Sequence, residues 1–248
     1  EMHFGGLPPE VHGRCLALDP IGSILAVGDS LGNIHLVDYP SLQVQTSIAA
    51  HEAALVQVTW TGGPPKLLAS AAQDGLIHIF DPSADWAIAQ TLDLHHSPAL
   101  VGLTFSHDGT RLLSAARDGQ IALAQRVMDS SGTCSYALVS RFHPHSGSLL
   151  ALGFNPSNDR ILSVGGDDRL CVTSDVFTGK TLRVDMVCCD VGGDGNGNGM
   201  FYMRSEASAL PKSPQKRGMT SNLEAERNKA CALADVLLDS SGYLVALV

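Results

Sequence analysis

Gly28-Asp29-Ser30-Leu31-Gly32 is the sharpest hint of chemistry in this 248-residue sequence, because it matches G-x-S-x-G. In such a turn a serine stands exposed as a nucleophile, and backbone amides at the start of a following helix stabilise the oxyanion. Here the next residues, Asn33-Ile34-His35-Leu36-Val37-Asp38, alternate as a strand does. Ser30 therefore reads as a turn residue. Asp194-Gly195-Asn196-Gly197-Asn198-Gly199 copies the first half of a calcium-binding loop, but position 205, where the bidentate glutamate belongs, holds Ser205, and Glu206 stands one place late. That stretch reads as linker. The ten histidines have no cysteine or carboxylate at ligand spacing, so no metal and no cofactor is expected. Lys212-Ser213-Pro214-Gln215-Lys216-Arg217 fits the Ser-Pro-x-Lys pattern of proline-directed kinases and makes Ser213 a candidate phosphorylation site.

The elements that position these residues follow from a repeat. Long amphipathic helix patterns are scarce, and short apolar runs are broken by Gly, Asp, Asn, Ser and Pro. Leu67 to Gly75, Leu112 to Gly119 and Ile161 to Asp168 align on Ser70, Ser114 and Ser163, each followed four residues later by Asp74, Asp118 and Asp167. Upstream, His51, His96 and His145 each precede an aromatic residue by nine positions: Trp60, Phe105 and Phe154. The separations from histidine to aspartate are 23, 22 and 22. Repeats of 44 to 49 residues on this skeleton are four-stranded propeller blades, so the expected fold is all-β.

With these residues in place the chain resembles the WD40 family, whose blades carry Gly-His near one end and Trp-Asp after the third strand. The Gly-His appears as Ala50-His51, His95-His96 and Pro144-His145, and the Trp-Asp as Val37-Asp38 and Phe80-Asp81, lost later at Gln125. The resemblance implies hydrogen-bonded triads of His51, Ser70 and Asp74, of His96, Ser114 and Asp118, and of His145, Ser163 and Asp167. The family's tryptophan is absent, with Phe80, Ala124 and Thr173 standing near its position. A ring held between a carboxylate and a hydroxyl uses both its nitrogens, at roughly 1.5–3 kcal/mol net for the charged bond. His35 falls on an expected exposed strand face.

A narrower resemblance rests on Leu67 to Asp81, Gln90 to His96 and Ala50 to Trp60. These stretches are similar to the mitogen-activated-protein-kinase-binding WD-repeat proteins and their microcephaly-associated spindle-pole relative. That similarity implies a non-catalytic scaffold in kinase signalling or at the spindle pole or centrosome, with kinases, spindle or microtubule-associated proteins as partners. A structural ciliary or centriolar WD-repeat protein is the alternative. Ile24 to Gly32 also resembles the nucleophile block of the GDSL lipases and esterases, and Asp93 and His96 could supply that family's D-x-x-H. Yet Asp93 and His96 occupy the loop opening a blade, and Ser30 lies where later repeats carry an ordinary turn.

Residues 1–187 thus read as blades one to four, 188–228 as a flexible Gly/Asn/Asp- and Ser/Lys-rich insert, and 229–248 as the first strands of a further blade. Four blades and part of a fifth are expected to pack with remaining blades of a larger propeller. The net charge of −9 argues against a general grip on nucleic acid. No apolar run reaches the roughly 18 residues of a membrane helix. Six scattered cysteines without a C-x-x-C pair point to free thiols and a cytoplasmic setting.

Overall fold

The computed structural model describes residues 11–95, 99–128 and 134–188, together with short strands at 202–203, 235–238 and 244–247. Blade one comprises β1 (Gly13–Leu18), β2 (Ile24–Asp29), β3 (Asn33–Asp38) and β4 (Val44–Ala49). Blade two comprises β5 (Leu55–Trp60), β6 (Leu68–Ala72), β7 (Ile77–Asp81) and β8 (Ala87–Leu92). Blade three comprises β9 (Leu100–Phe105), β10 (Arg111–Ala116), β11 (Ile121–Met128) and β12 (Cys134–Phe142). In blade four, β13 (Leu149–Phe154), β14 (Arg160–Gly165), β15 (Leu170–Asp175) and β16 (Thr181–Cys188) follow the same order. Every sheet is an antiparallel meander, and the described residues hold no α-helix, only a 3-10 turn at Pro82–Ala84. Among the described residues no helix is long and apolar enough to cross a membrane.

The inner strands β1, β5, β9 and β13 lie side by side, and β18 (Asp235–Leu238) continues the series against β13, paired with β19 (Leu244–Leu247). Within the stretch read as a loop, β17 (Tyr202–Met203) adds a fifth strand to blade four by pairing with Val187 and Cys188 of β16. Ser213 and the calcium-loop look-alike from Asp194 lie outside the described residues.

Sandwiching between neighbours explains why the middle strands are apolar on both faces. All five residues of β6 are buried. Ala26, Ile34 and Leu36 of blade one share a core with Leu55, Val58, Trp60, Leu68 and Phe80 of blade two. A second core joins Ile77 and Ile79 to Leu103, Phe105 and Leu112, and a third joins Leu113, Ile121 and Leu123 to Leu149, Phe154 and Ile161. Polar clamps supplement this packing. Trp60 Nε1 donates to the Ala17 carbonyl at 3.1 Å, joining blades one and two. Gln90 on β8 meets the Tyr136 backbone on β12 twice, donating to its carbonyl at 2.8 Å and accepting its amide at 2.7 Å. The Arg111 guanidinium reaches the Asn158 carbonyl at 2.9 Å, tying blade three to blade four.

Blade one differs on its far side. Leu18 pairs with Leu25 as Trp60 pairs with Leu68, so Leu16 and Leu18 are the counterparts of Val58 and Trp60. Those two are 2% and 6% exposed, whereas Leu16 and Leu18 are 63% and 44% exposed.

Candidate functional site

The polar residues singled out by the repeat sit where each blade opens. The loop from β4 to β5 carries His51 against the turn joining β6 to β7. His51 Nδ1 lies 2.9 Å from Asp74 Oδ2 and Nε2 lies 2.7 Å from Ser70 Oγ. A carboxylate only accepts, so this pairing assigns the ring proton to Nδ1 and leaves Nε2 to accept the serine hydroxyl. Burial pushes the His51 imidazole below its usual range, against the opposing pull of Asp74.

In blade three the ring at Ser114 is His95, not His96, which lies outside the described residues. His95 Nε2 is 2.8 Å from Ser114 Oγ, and Nδ1 is 3.1 Å from Gln120 Oε1. Asp118 is not bonded to the ring; it accepts the Gln120 backbone amide at 3.0 Å and so shapes the turn that aims Gln120 inward. Burial lowers the His95 imidazole too, with the Gln120 bond opposing. In blade four Asp168 replaces Asp167. His145 Nδ1 lies 3.0 Å from Asp168 Oδ2 and Nε2 lies 2.8 Å from Ser163 Oγ. Asp167 instead accepts the Ser148 amide at 2.7 Å on the surface.

These corrections share one signal. His51 to Asp74, His95 to Asp118 and His145 to Asp168 are each 23 residues apart, so a constant spacing selects the residues that the structure brings to each turn. The turn of blade four is one residue longer between Ser163 and its aspartate, which displaced a count made forward from the serine. The same insertion moves the tryptophan-equivalent position to Ser174, which pairs with Ile161 as Phe80 pairs with Leu68. Thr173 is its neighbour. Ser174 Oγ is buried without a hydrogen-bond partner.

Blade one contains a set that the repeat does not announce. His35, expected on an exposed face, is 5% exposed, with Nε2 3.0 Å from Asp29 Oδ2 and Nδ1 2.8 Å from Ser47 Oγ. Asp29 also accepts the Leu31 and Asn33 amides, each at 2.8 Å. Burial alone would raise the Asp29 carboxyl, but Asn33, His35 and Leu31 together hold it below its usual range. Here the histidine comes from the third strand, so a search for one preceding each blade passes over it. Its counterpart in blade two, His78, stacks on His51 with centroids 4.2 Å apart.

Two turn glycines tie consecutive blades together. At Gly32 (φ +93°) an added Cβ would stand 2.2 Å from the His51 carbonyl, and at Gly119 (φ +88°) 2.4 Å from that of His145. Ser30, beside the first of these, accepts the His12 amide at 3.3 Å, and the chain runs from it directly into β3. No helix N-terminus follows it to form an oxyanion site. Among the described residues no group of three His, Cys, Asp or Glu side chains could hold a metal ion, and Cys15, Cys134 and Cys171 are free.

Radially neighbouring four-stranded meanders with a buried histidine at their opening turns define a β-propeller. The sequence pattern of the WD domain, or G-beta repeat, matches residues 86–123 and 136–173. Each match takes the outer strand of one blade with three strands of the next, so every repeat spans a blade boundary. The chain carries repeats of the WD40 class and has the fold of a WD40-type β-propeller. It is 32% identical over 127 residues to human mitogen-activated protein kinase-binding protein 1, covering 50% of this chain and 8% of that protein. To mouse WD repeat-containing protein 62 it is 29% identical over 124 residues, 48% of this chain and 8% of the relative. Nuclear distribution protein PAC1 of Coccidioides posadasii is 32% identical over 177 residues, 67% of this chain and 36% of its own. Among solved structures, a chain of a mitotic checkpoint complex matches with a TM-score of 0.62 at 21% identity, over 73% of this chain and 56% of that one.

Proposed function

We propose that the protein is a non-catalytic scaffold that joins other proteins through the turns and edges of its blades. The observation that carries this reading is the internal use of its reactive side chains. The rings of His35, His51, His95 and His145 each spend both nitrogens within their own blade. What remains toward solvent is a set of turns whose residues are free of the blade skeleton, the usual contact surface of a rigid scaffold. The name of one relative, mitogen-activated protein kinase-binding protein 1, supports a place in kinase signalling. The sequence resemblance adds the spindle pole or centrosome. On this reading the protein is cytoplasmic and associated with the cytoskeleton, Ser213 is phosphorylated, and neither nucleic acid nor membrane is a partner. The bare Leu16 and Leu18 face packs against a further blade of the same propeller.

Proximity labelling of the protein expressed in dividing cells tests the assignment. Enrichment of protein kinases with spindle-pole components supports it. A labelled set dominated by axonemal or centriolar structural proteins would replace it with the ciliary alternative.

A further inference from the structure

We propose that the stacked rings of His51 and His78 make the joint between blades one and two an acid-responsive hinge. The rings lie 4.2 Å apart and nearly parallel, at 17°. His51 has both nitrogens engaged, with Asp74 and Ser70, while His78 Nδ1 is buried without a partner. The backbone carrying His51 is also the joint. The amides of Ala50 and His51 both donate to the Gly32 carbonyl, at 3.1 and 2.9 Å, fastening blade one's turn beneath blade two.

The neighbouring blades supply an internal comparison. His78 pairs with Ser70 across β6 and β7, and the residues pairing with Ser114 and Ser163 are Ala122 and Val172. Of these three blades, blade two alone sets a second imidazole against the histidine of its opening loop. One proton on the pair is compensated by Asp74. A second sets two cations face to face in a partly buried place where water screens poorly. The other charged group nearby on the loop, Glu52, is exposed. The pair relieves this repulsion by swinging the His51 ring off Ser70, which frees the Ala50 and His51 amides from Gly32.

The sign follows from burial, which holds the His51 imidazole below its ordinary value. The folded joint binds fewer protons than the opened one. Its stability is complete above about pH 6.5 and is lost as the pH falls toward the folded value.

Amide exchange measured residue by residue at about pH 7.5 and pH 5.5, corrected for intrinsic rates, reads the hinge directly. In the wild-type chain the Ala50 and His51 amides should lose roughly tenfold in protection at the lower pH, as one linked proton over one pH step requires. The β6 amides, which report opening of the whole blade, should hold. His78→Val, the residue blade four carries at this place, should largely abolish the loss, and His78→Thr serves should the valine variant fold poorly. Equal losses in wild type and variant, no loss in the wild type, or parallel opening of β6 would each overturn the hinge.

Discussion

The His145 ring is held 3.0 Å from Asp168 and turns away from Asp167, although the two aspartates are adjacent in the chain. The His145 side chain is fully buried and that of Asp168 is 11% exposed, so their bond replaces water on both sides. Asp168→Ala leaves a buried ring nitrogen without its partner and should cost roughly 1–3 kcal/mol in urea unfolding. Asp167→Ala removes a bond to an exposed amide and should cost less than about 1 kcal/mol. Equal losses for the two would mean that the ring exchanges between them.

Gly32 and Gly22 separate backbone strain from collision. Both have positive φ, +93° and +73°, but a Cβ on Gly22 meets nothing within 4 Å, whereas one on Gly32 meets the His51 carbonyl. Gly22→Ala should cost about 1–2 kcal/mol, the price of a left-handed residue with a side chain. Gly32→Ala adds the displacement of blade two's opening loop and should cost roughly 3 kcal/mol or more. Thermal melts of the two variants distinguish these outcomes.

Ser174 offers the opposite sign. Its hydroxyl is buried without a partner at the place where blade two carries Phe80. Desolvating an unpaired hydroxyl costs about 1–3 kcal/mol, so Ser174→Ala should leave stability unchanged or raise it by up to about 1 kcal/mol. A loss beyond about 1 kcal/mol, measured by urea unfolding, would show that the hydroxyl has a partner in solution.

The blade skeleton was legible because it is periodic. Ser70, Ser114 and Ser163 recur with alternating apolar neighbours, and a meander places each of them on the second strand of a blade. Which histidine and which aspartate meet was harder to read. His95 and His96 are adjacent, as are Asp167 and Asp168, and a shift by one residue reverses the face of an extended chain. Only closure of the loop decides between such neighbours. The His35 set was not legible, because a polar residue in a strand flanked by apolar ones normally faces water. In a propeller both faces of a middle strand are covered, so His35 is buried and must find Asp29 and Ser47.

Asp19 sets the acid limit of the joint between blades one and two. Burial would raise its carboxyl, but the Ile24 amide, the Lys66 ammonium and the Ser23 amide and hydroxyl bring it down to about 2. Lys66 reaches it from blade two and lies over the Trp60 ring, 5.3 Å from its centroid. A depressed carboxyl stabilises the fold above its unfolded value near 4 and loses that contribution as the pH falls from about 4 to about 2. Lys66→Met should flatten the drop in melting temperature across that window. An unchanged profile would mean that the Ile24 and Ser23 bonds suffice without the ammonium.

Ser30 tests the scaffold reading against the chemistry that its motif suggests. Its hydroxyl accepts a backbone amide, that of His12, and the aspartate beside it, Asp29, is committed to Leu31, Asn33 and His35. A serine nucleophile needs a base to take its proton and amides to hold the oxyanion, and the strand that follows Ser30 spends its amides on the ladder with β2 and β4. Ser30→Ala loses one long hydrogen bond at 3.3 Å and should shift stability by no more than about 0.5 kcal/mol. A fluorophosphonate probe, which reports activated serines, should leave the wild-type chain unlabelled at concentrations that saturate a serine hydrolase. Stoichiometric labelling, abolished by Ser30→Ala, would establish an activated serine in this turn and displace the non-catalytic reading. Absence of labelling with unchanged partner capture by the variant leaves Ser30 as a turn residue between two strands of a propeller blade.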